Sequence, residues 1–261
     1  MLLKIDRSEG PVASIALARP EARNALSLEL IDALIETFAA LAADQNVRVV
    51  VLHAEGPVFS SGHDLKELNA HRSDADSGRA FFERTFARCG ELMQAIVAAP
   101  QPVIAAIEGT ATAAGCQLVA SCDLAIAGGG ARFATPGVNI GLFCTTPAVA
   151  LSRAAHAKHA MEMLLTGDMI DAESAHRIGL VSRIVPAGEA HKTANDLAAR
   201  IASKSPSALA FGKKAFHAQR ALPLDEAYAL AGGVMVENML DDDAVEGIAA
   251  FIEKRDPRWP S

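Results

Sequence analysis

The sequence predicts an α/β fold with parallel strand pairs, followed by a helical C-terminal region. Three observations carry this. Short apolar runs with strand character alternate with amphipathic helical segments up to about residue 147, and beyond it nearly every segment reads as helix. No apolar run is long enough to span a bilayer.

The segments LLKIDRSEG and VASIALA carry apolar residues at period two around Glu9-Gly10-Pro11, which reads as a hairpin. Leu30, Leu34, Phe38 and Leu41 follow at helical spacing, with Ser27 placed to cap the helix. VRVVVLHA, residues 47–54, is too short and too β-branched for a helix and fits a buried strand. After the loop EGPVFSSGHDLKEL, residues 78–98 predict a long helix with Phe82, Phe86, Cys89, Met93 and Val97 on one stripe, stopped by Pro100 and Pro102. The pattern then repeats in miniature: strand PVIAAI, loop EGTATAA, helix GCQLVASC, strand DLAIA, a GGG turn and strand ARFAT. The remainder is helical apart from the short strand VSRIVP, and its exposed apolar faces suit packing on the core or on another subunit.

At 261 residues and 51% hydrophobic, the chain suits one large domain or one domain with an appendage. Its net charge of -7, from 31 acidic and 24 basic residues, argues against nucleic acid or an anionic membrane as the main partner. The start MLLKIDRSEG lacks the features of a signal peptide, so a cytoplasmic protein is expected. The four cysteines, Cys89, Cys116, Cys122 and Cys144, form no CxxC pair and read as buried free thiols. The acidic run Asp241-Asp242-Asp243 precedes a helical pattern and reads as a cap, so no metal site is expected. Neither a phosphate-binding loop nor a GxSxG elbow is present.

Two stretches look built to present backbone amides. In SSGHDLKEL, Gly62 lets the chain turn sharply and frees the amide of His63, while in EGTATAAGCQL a helix starting near Ala114 leaves its first N–H groups without acceptors. Together they would hold negative charge developing on a carbonyl oxygen.

With that pair in view, the chain resembles the enoyl-CoA hydratase/isomerase family, the crotonase superfamily, over essentially its whole length. The matching stretches are ARPEARNALSLEL, VVVLHAEGPVFSSGHDLKEL, PVIAAIEGTATAAGCQLVASCDLAIA, RFATPGVNIGLF, LTGDMIDAESAHRIGLVSRIVP and EGIAAFIEKRDPRW, in order and in register. The resemblance implies a ClpP-like spiral of ββα turns over residues 1–195, a C-terminal helical oligomerisation region over residues 196–261, and a homotrimer or a dimer of trimers. It implies an acyl-CoA thioester whose carbonyl oxygen is held by the amides of His63 and Ala114, with coenzyme A entering as part of the substrate and no separate cofactor. The adenine and phosphate end is expected near Arg23, Ala25, Ser61, Asp64, Leu65 and Lys66, with Phe251 and Lys254 contributed by a neighbouring subunit.

The family's hydratases use two glutamates to move protons at C2 and C3. The resemblance aligns the first with Gln117 and the second with Gly137, so neither position carries an ionisable group. Gln117 can orient a water but is no base near neutral pH. Three uses fit what remains. Decarboxylation of a malonyl-type thioester needs the enolate held more than it needs a base, and would place Thr135, Asn139 and Cys144 near the leaving carboxylate. Hydratase or hydrolase chemistry would need an acid or base relocated to His63, Glu108 or Asp64. A non-catalytic acyl-CoA binder or assembly subunit needs neither.

Overall fold

Alternation of residues on the first strands decides which face meets which layer. The computed structural model describes residues 1–8 and 10–261; Glu9 of the expected Glu9-Gly10-Pro11 turn lies outside them. On either side, β1 (Leu3–Asp6) and β2 (Val12–Leu17) pair antiparallel, with Leu3 opposite Leu17. Helix α1 (Leu28–Ala42) starts where Ser27 Oγ accepts the amide of Leu30 at 3.3 Å, and it buries Leu30, Ile31, Leu34, Phe38 and Leu41. Strand β3 (Val49–Ala54) is buried on both sides. Val50 and Leu52 join the main core with α1, while Val49 and Val51 join a second core on the opposite face.

From β3 the chain winds three times. It passes through β4 (Val58–Ser60), α2 (Leu65–Ala70) and α3 (Arg79–Ala98), then β5 (Val103–Ile107), β6 (Thr110–Thr112) and α4 (Ala114–Ser121). The third turn is β7 (Leu124–Gly128), β8 (Arg132–Ala134), a 3-10 turn at Pro136–Ile140, α5 (Thr145–Ala154) and α6 (Ala157–Thr166). A short closing unit of β9 (Ile170–Asp171), α7 (Ala172–Arg177) and β10 (Arg183–Val185) follows. In each turn the first strand joins a six-stranded sheet, ordered β1-β2-β3-β5-β7-β10, and the second joins a four-stranded sheet, ordered β4-β6-β8-β9. Pairing is parallel except between β1 and β2 and between β8 and β9. This is the expected α/β spiral of ββα turns.

Helix α3 buries Phe81, Thr85, Cys89, Leu92, Met93 and Ile96, so the expected stripe holds at Cys89 and Met93 and is displaced by one residue at Phe82, Phe86 and Val97. The start of the helix explains this: Phe82 packs on Gly78 and under the Arg72 guanidinium, while Phe81 stacks on His71. Phe86 is left 40% exposed.

The C-terminal region begins with α8 (Ala190–Ala202), whose Ala190, Ala194, Leu197 and Ala198 cover the second core. The boundary expected between residues 195 and 196 falls inside this helix. Then come α9 (Pro206–Gln219), α10 (Leu224–Leu240) and α11 (Asp242–Glu253). Lys213 of α9 is buried against Asp123, Nζ to Oδ2 2.7 Å, and donates to the carbonyls of Ile96 and Gln101. Asp241 caps α11 by accepting the amide of Asp243 at 3.0 Å, as its position suggests. The Asp243 carboxylate is itself buried and accepts from Ser205 Oγ and from the amide and hydroxyl of Ser261, which fastens the chain's end. Leu224, Tyr228, Met235, Val236, Leu240 and Phe251 remain exposed on α10 and α11. Among the described residues no helix is long and apolar enough to cross a membrane.

Candidate functional site

The loop at Gly62 and the start of α4 come close together. Gly62 adopts φ +87°, and its carbonyl accepts the amide of Leu26 at 2.8 Å, while the amide of Asp64 donates to Leu26 O at 3.1 Å. The N–H of His63 between them has no acceptor among the described residues. On the other side the amide of Ala113 donates to Ala134 O at 2.9 Å, and Ala114 opens α4 with its own N–H outside the helical ladder. Ala113 has φ 49° and ψ -119°, a left-handed conformation for a residue with a side chain; its ψ orients the peptide plane that carries the Ala114 N–H. A β-carbon on Gly62 would lie 2.8 Å from Ala113 Cβ and 3.2 Å from Ala114 N, so only glycine lets the two segments approach this closely.

Gln117 lies one turn into α4 and is buried, with its Oε1 3.9 Å from Cys89 Sγ on α3. Gly137 lies in the 3-10 turn, where its carbonyl accepts the amide of Leu142 at 2.9 Å. A β-carbon there would fall 2.5 Å from Leu142 O and 2.8 Å from Cys144 Sγ, so the following loop occupies the space of any side chain at this position. All four cysteines are free; Cys89, Cys116 and Cys144 are buried and Cys122 half-buried. Burial pushes the thiols of Cys89 and Cys116 up to about 12, which keeps them protonated near neutral pH.

The segment expected to hold the nucleotide end is brought together on one side. The amide of Ser61 donates to Arg23 O at 3.1 Å, and the pairing of Leu26 with His63 sets Ala25 beside the same loop. Arg23 and Lys66 are exposed with no ion-pair partner among the described residues, and Leu65 is half-exposed on α2. Asp64 caps α2 through the amides of Lys66 and Glu67 and lies 3.6 Å from the Arg19 guanidinium. Thr135 is fully buried, with no partner for its Oγ1 among the described residues, and Cys144 packs on Gly137. Asn139 is exposed, and its amide nitrogen lies against Gly167 at the end of α6. Phe251 is 84% exposed on α11 and Lys254 ends that helix at φ 56°; among the described residues no hydrogen bond or ion pair joins either to the Arg23–Lys66 group.

Of the groups considered as relocated acids or bases, two are occupied. Glu108 accepts the amides of Gly188 and Ala190 at 2.8 and 2.5 Å with its two oxygens, capping α8, and Asp64 is held as described. His63 differs: its ring meets Phe86 edge-on at 5.2 Å, and its Nε2 is buried without a partner among the described residues. Burial lowers its pKa to about 4, so the ring is neutral near neutral pH.

Sequence reasoning passed over Thr85, Phe86 as a neighbour of His63, and Ala113. Thr85 had a signal, since a hydroxyl on the core stripe of α3 needs a reason to be there; the backbone of Ala113 had none. A pocket of about 220 Å³ lies elsewhere, between β1–β3 and α8, where His53 and His191 stack at 3.9 Å beside Ser14, Glu55 and Asn195.

Residues 7–261 match the family model described as Enoyl-CoA hydratase/isomerase. The chain belongs to the enoyl-CoA hydratase/isomerase family. It is 47% identical over 253 residues to the rat (Rattus norvegicus) "Enoyl-CoA hydratase domain-containing protein 3, mitochondrial", covering 97% of this chain and 83% of that one. A "Putative enoyl-CoA hydratase" of Thermus thermophilus is 36% identical over 251 residues, covering 96% of this chain and 98% of the other. The crystal structure of an enoyl-CoA hydratase from Mycobacterium smegmatis superposes with a TM-score of 0.94 at 48% identity, covering 100% of both chains. That of human enoyl Coenzyme A hydratase domain-containing protein 3 gives 0.93 at 44% identity, covering 99% of this chain and 100% of that one. Gln117 and Gly137 are both uncharged.

Proposed function

We propose that this protein binds an acyl-CoA thioester and polarises its carbonyl through the N–H groups of His63 and Ala114. The observation that carries the reading is the approach of two acceptor-free amides across Gly62, the arrangement that stabilises an enolate oxygen. Coenzyme A enters as part of the substrate, its nucleotide end along Arg23, Ala25, Ser61, Asp64, Leu65 and Lys66. The exposed cations of Arg23 and Lys66 supply positive charge there on a chain that is acidic overall. The exposed apolar residues of α10 and α11, Phe251 among them, suit packing against further copies in a homotrimer or dimer of trimers, which would bring Phe251 and Lys254 to a neighbour's site. Free, mostly buried thiols suit a reducing compartment such as the cytoplasm; the vertebrate relatives are named as mitochondrial proteins.

The reaction favoured is a lyase reaction of acyl-CoA metabolism that needs an enolate held but no carboxylate base. In decarboxylation of a malonyl-type thioester the bond from C2 to the carboxylate breaks and its electron pair enters the enolate. Carbon dioxide then leaves, and a solvent proton completes the product. The occupied carboxylates of Glu108 and Asp64 favour this over hydration or hydrolysis with a relocated base. The test is the infrared carbonyl stretch of bound butyryl-CoA together with turnover of malonyl-CoA, methylmalonyl-CoA and crotonyl-CoA. The reading expects a stretch lowered on binding and release of carbon dioxide from a malonyl-type substrate. A bound thioester with an unshifted stretch would sink it, whereas a shifted stretch with no turnover of any substrate would identify a non-catalytic binder.

A further inference from the structure

One buried residue touches both halves of the candidate site. Ser60 ends β4 and is fully buried. Its hydroxyl donates to the carbonyl of Asn24 at 2.9 Å and accepts the amide of Gly62 at 3.3 Å. Its other side supports α4. A β-carbon on Gly115 would lie 2.4 Å from Ser60 O and 2.7 Å from Ser60 Cβ, so the helix rests on this residue one position after Ala114.

Each amide of the site is aimed by the carbonyl that shares its peptide plane, because in a trans peptide the C=O and the N–H point in opposite directions. Gly62 O takes the amide of Leu26 at 2.8 Å, which turns the His63 N–H away from Leu26. Ala113 O takes the amide of Gln117 at 3.0 Å, which turns the Ala114 N–H out of the end of α4. The segment that carries Leu26 is anchored in turn through Asn24, a fully buried residue at φ 49°. Its Oδ1 accepts the amide of Arg19 at 2.9 Å, and its Nδ2 donates to Glu55 O and Val58 O at 2.9 and 2.8 Å. Ser60 Oγ therefore ties this anchored segment to the turn that presents His63, while its Cβ and carbonyl set where α4 starts. An alanine would pack on Gly115 as well as a serine does, so the buried hydroxyl is explained by the link it makes.

We infer that Ser60 is a positioning residue: its hydroxyl holds the Gly62 turn in register with the start of α4, so that the amides of His63 and Ala114 act on one carbonyl oxygen. The inference rests on the thioester reading above. Ser60 acts through the two peptide planes and not by contact with the ligand. Donors of this kind are effective only when they are in place before charge develops, so a small displacement of one of them weakens the pair.

The infrared carbonyl stretch of butyryl-CoA bound to the full-length protein, read beside the unfolding midpoint, tests this. Ser60→Ala removes the link and keeps the packing on Gly115, and it should lose most of the lowering of the stretch that the parent shows on binding. Ser60→Cys, whose thiol is a weak donor and acceptor, should keep an intermediate lowering, and it carries the test if Ser60→Ala does not fold. Phe59→Leu, a core change at the neighbouring buried residue, is the comparison: its midpoint should fall while the stretch stays as in the parent. A parent-like stretch in Ser60→Ala, or a stretch that changes equally in Phe59→Leu, overturns the inference and leaves the thioester reading intact. Failure of that reading looks different: the unaltered protein then binds butyryl-CoA with no carbonyl shift, or does not bind it.

Discussion

A β-carbon on Gly137 would lie 2.5 Å from the carbonyl oxygen of Leu142, and the two residues are also joined by the hydrogen bond from Leu142 N to Gly137 O. The obstruction is backbone, so it cannot be relieved by turning a side chain. Gly137→Ala should therefore cost about 1–3 kcal/mol, read as a lowered unfolding midpoint. Gly137→Glu should cost at least as much. Introducing a pair of glutamates in Gln117→Glu/Gly137→Glu then requires the loop at residues 141–144 to move, and hydration of crotonyl-CoA should stay far below that of a two-glutamate hydratase. A Gly137→Ala variant as stable as the parent would show that the loop yields freely.

The conformation of Ala113 leads to a gain. At φ 49° and ψ -119° an alanine is strained where a glycine is not, and such strain costs on the order of 1–3 kcal/mol. Ala113→Gly should raise the unfolding midpoint in urea, against the usual loss for alanine to glycine. An unchanged or lower midpoint would mean that the methyl's contact over Gly62 offsets the strain.

These two sites show where the sequence was legible and where it stopped. Period and capping reveal elements whose cause is local: Ser27 before α1, the buried run of β3, and the acidic Asp241 before α11. The amides of His63 and Ala114 were visible because Gly62 and the start of α4 are local features too. The stripe on α3 holds at Cys89 and Met93 but is off by one residue at Phe82, Phe86 and Val97, because Gly78, Arg72 and His71 fix its phase through contacts made before the helix begins. The filling of Gly137 by Leu142 and the capping of α8 by Glu108 join segments that no spacing rule connects. Whether a polar residue is spent on structure is decided by such contacts, which is why Glu108 could be weighed as a base from the sequence.

Two histidines should set the acid side of the stability profile. Burial lowers His63 to about 4; burial and then the charge of His191 lower His53 to about 4, against a smaller opposing effect of Glu55. Their ordinary value is 6.5, so on acidification the unfolded chain takes up these protons first. The stability contributed by keeping both rings neutral is therefore fully present above about pH 6.5 and is lost as pH falls toward about 4. Urea midpoints should decline over this window in the parent, and less steeply in His53→Phe/His63→Phe. Parallel declines in the two proteins would place the proton uptake elsewhere.

Asp123 should hold the C-terminal helices to the core. Its Oδ2 takes the amide of Val103 and the ammonium of Lys213, both at 2.7 Å, and its Oδ1 lies 3.5 Å from His217 Nε2. Lys213 is only 7% exposed, so Asp123→Ala strands a buried cation, a change that typically costs about 3–5 kcal/mol. Replacing Lys213 as well, in Asp123→Ala/Lys213→Met, should recover part of that loss, because the stranded charge is gone even though the amide of Val103 remains unpaired. Amide hydrogen exchange should locate the defect in α9, with faster exchange there in Asp123→Ala than along β3 or β5. A loss spread evenly over the chain, or a double variant no more stable than the single one, would mean that this ion pair does not dock the helix.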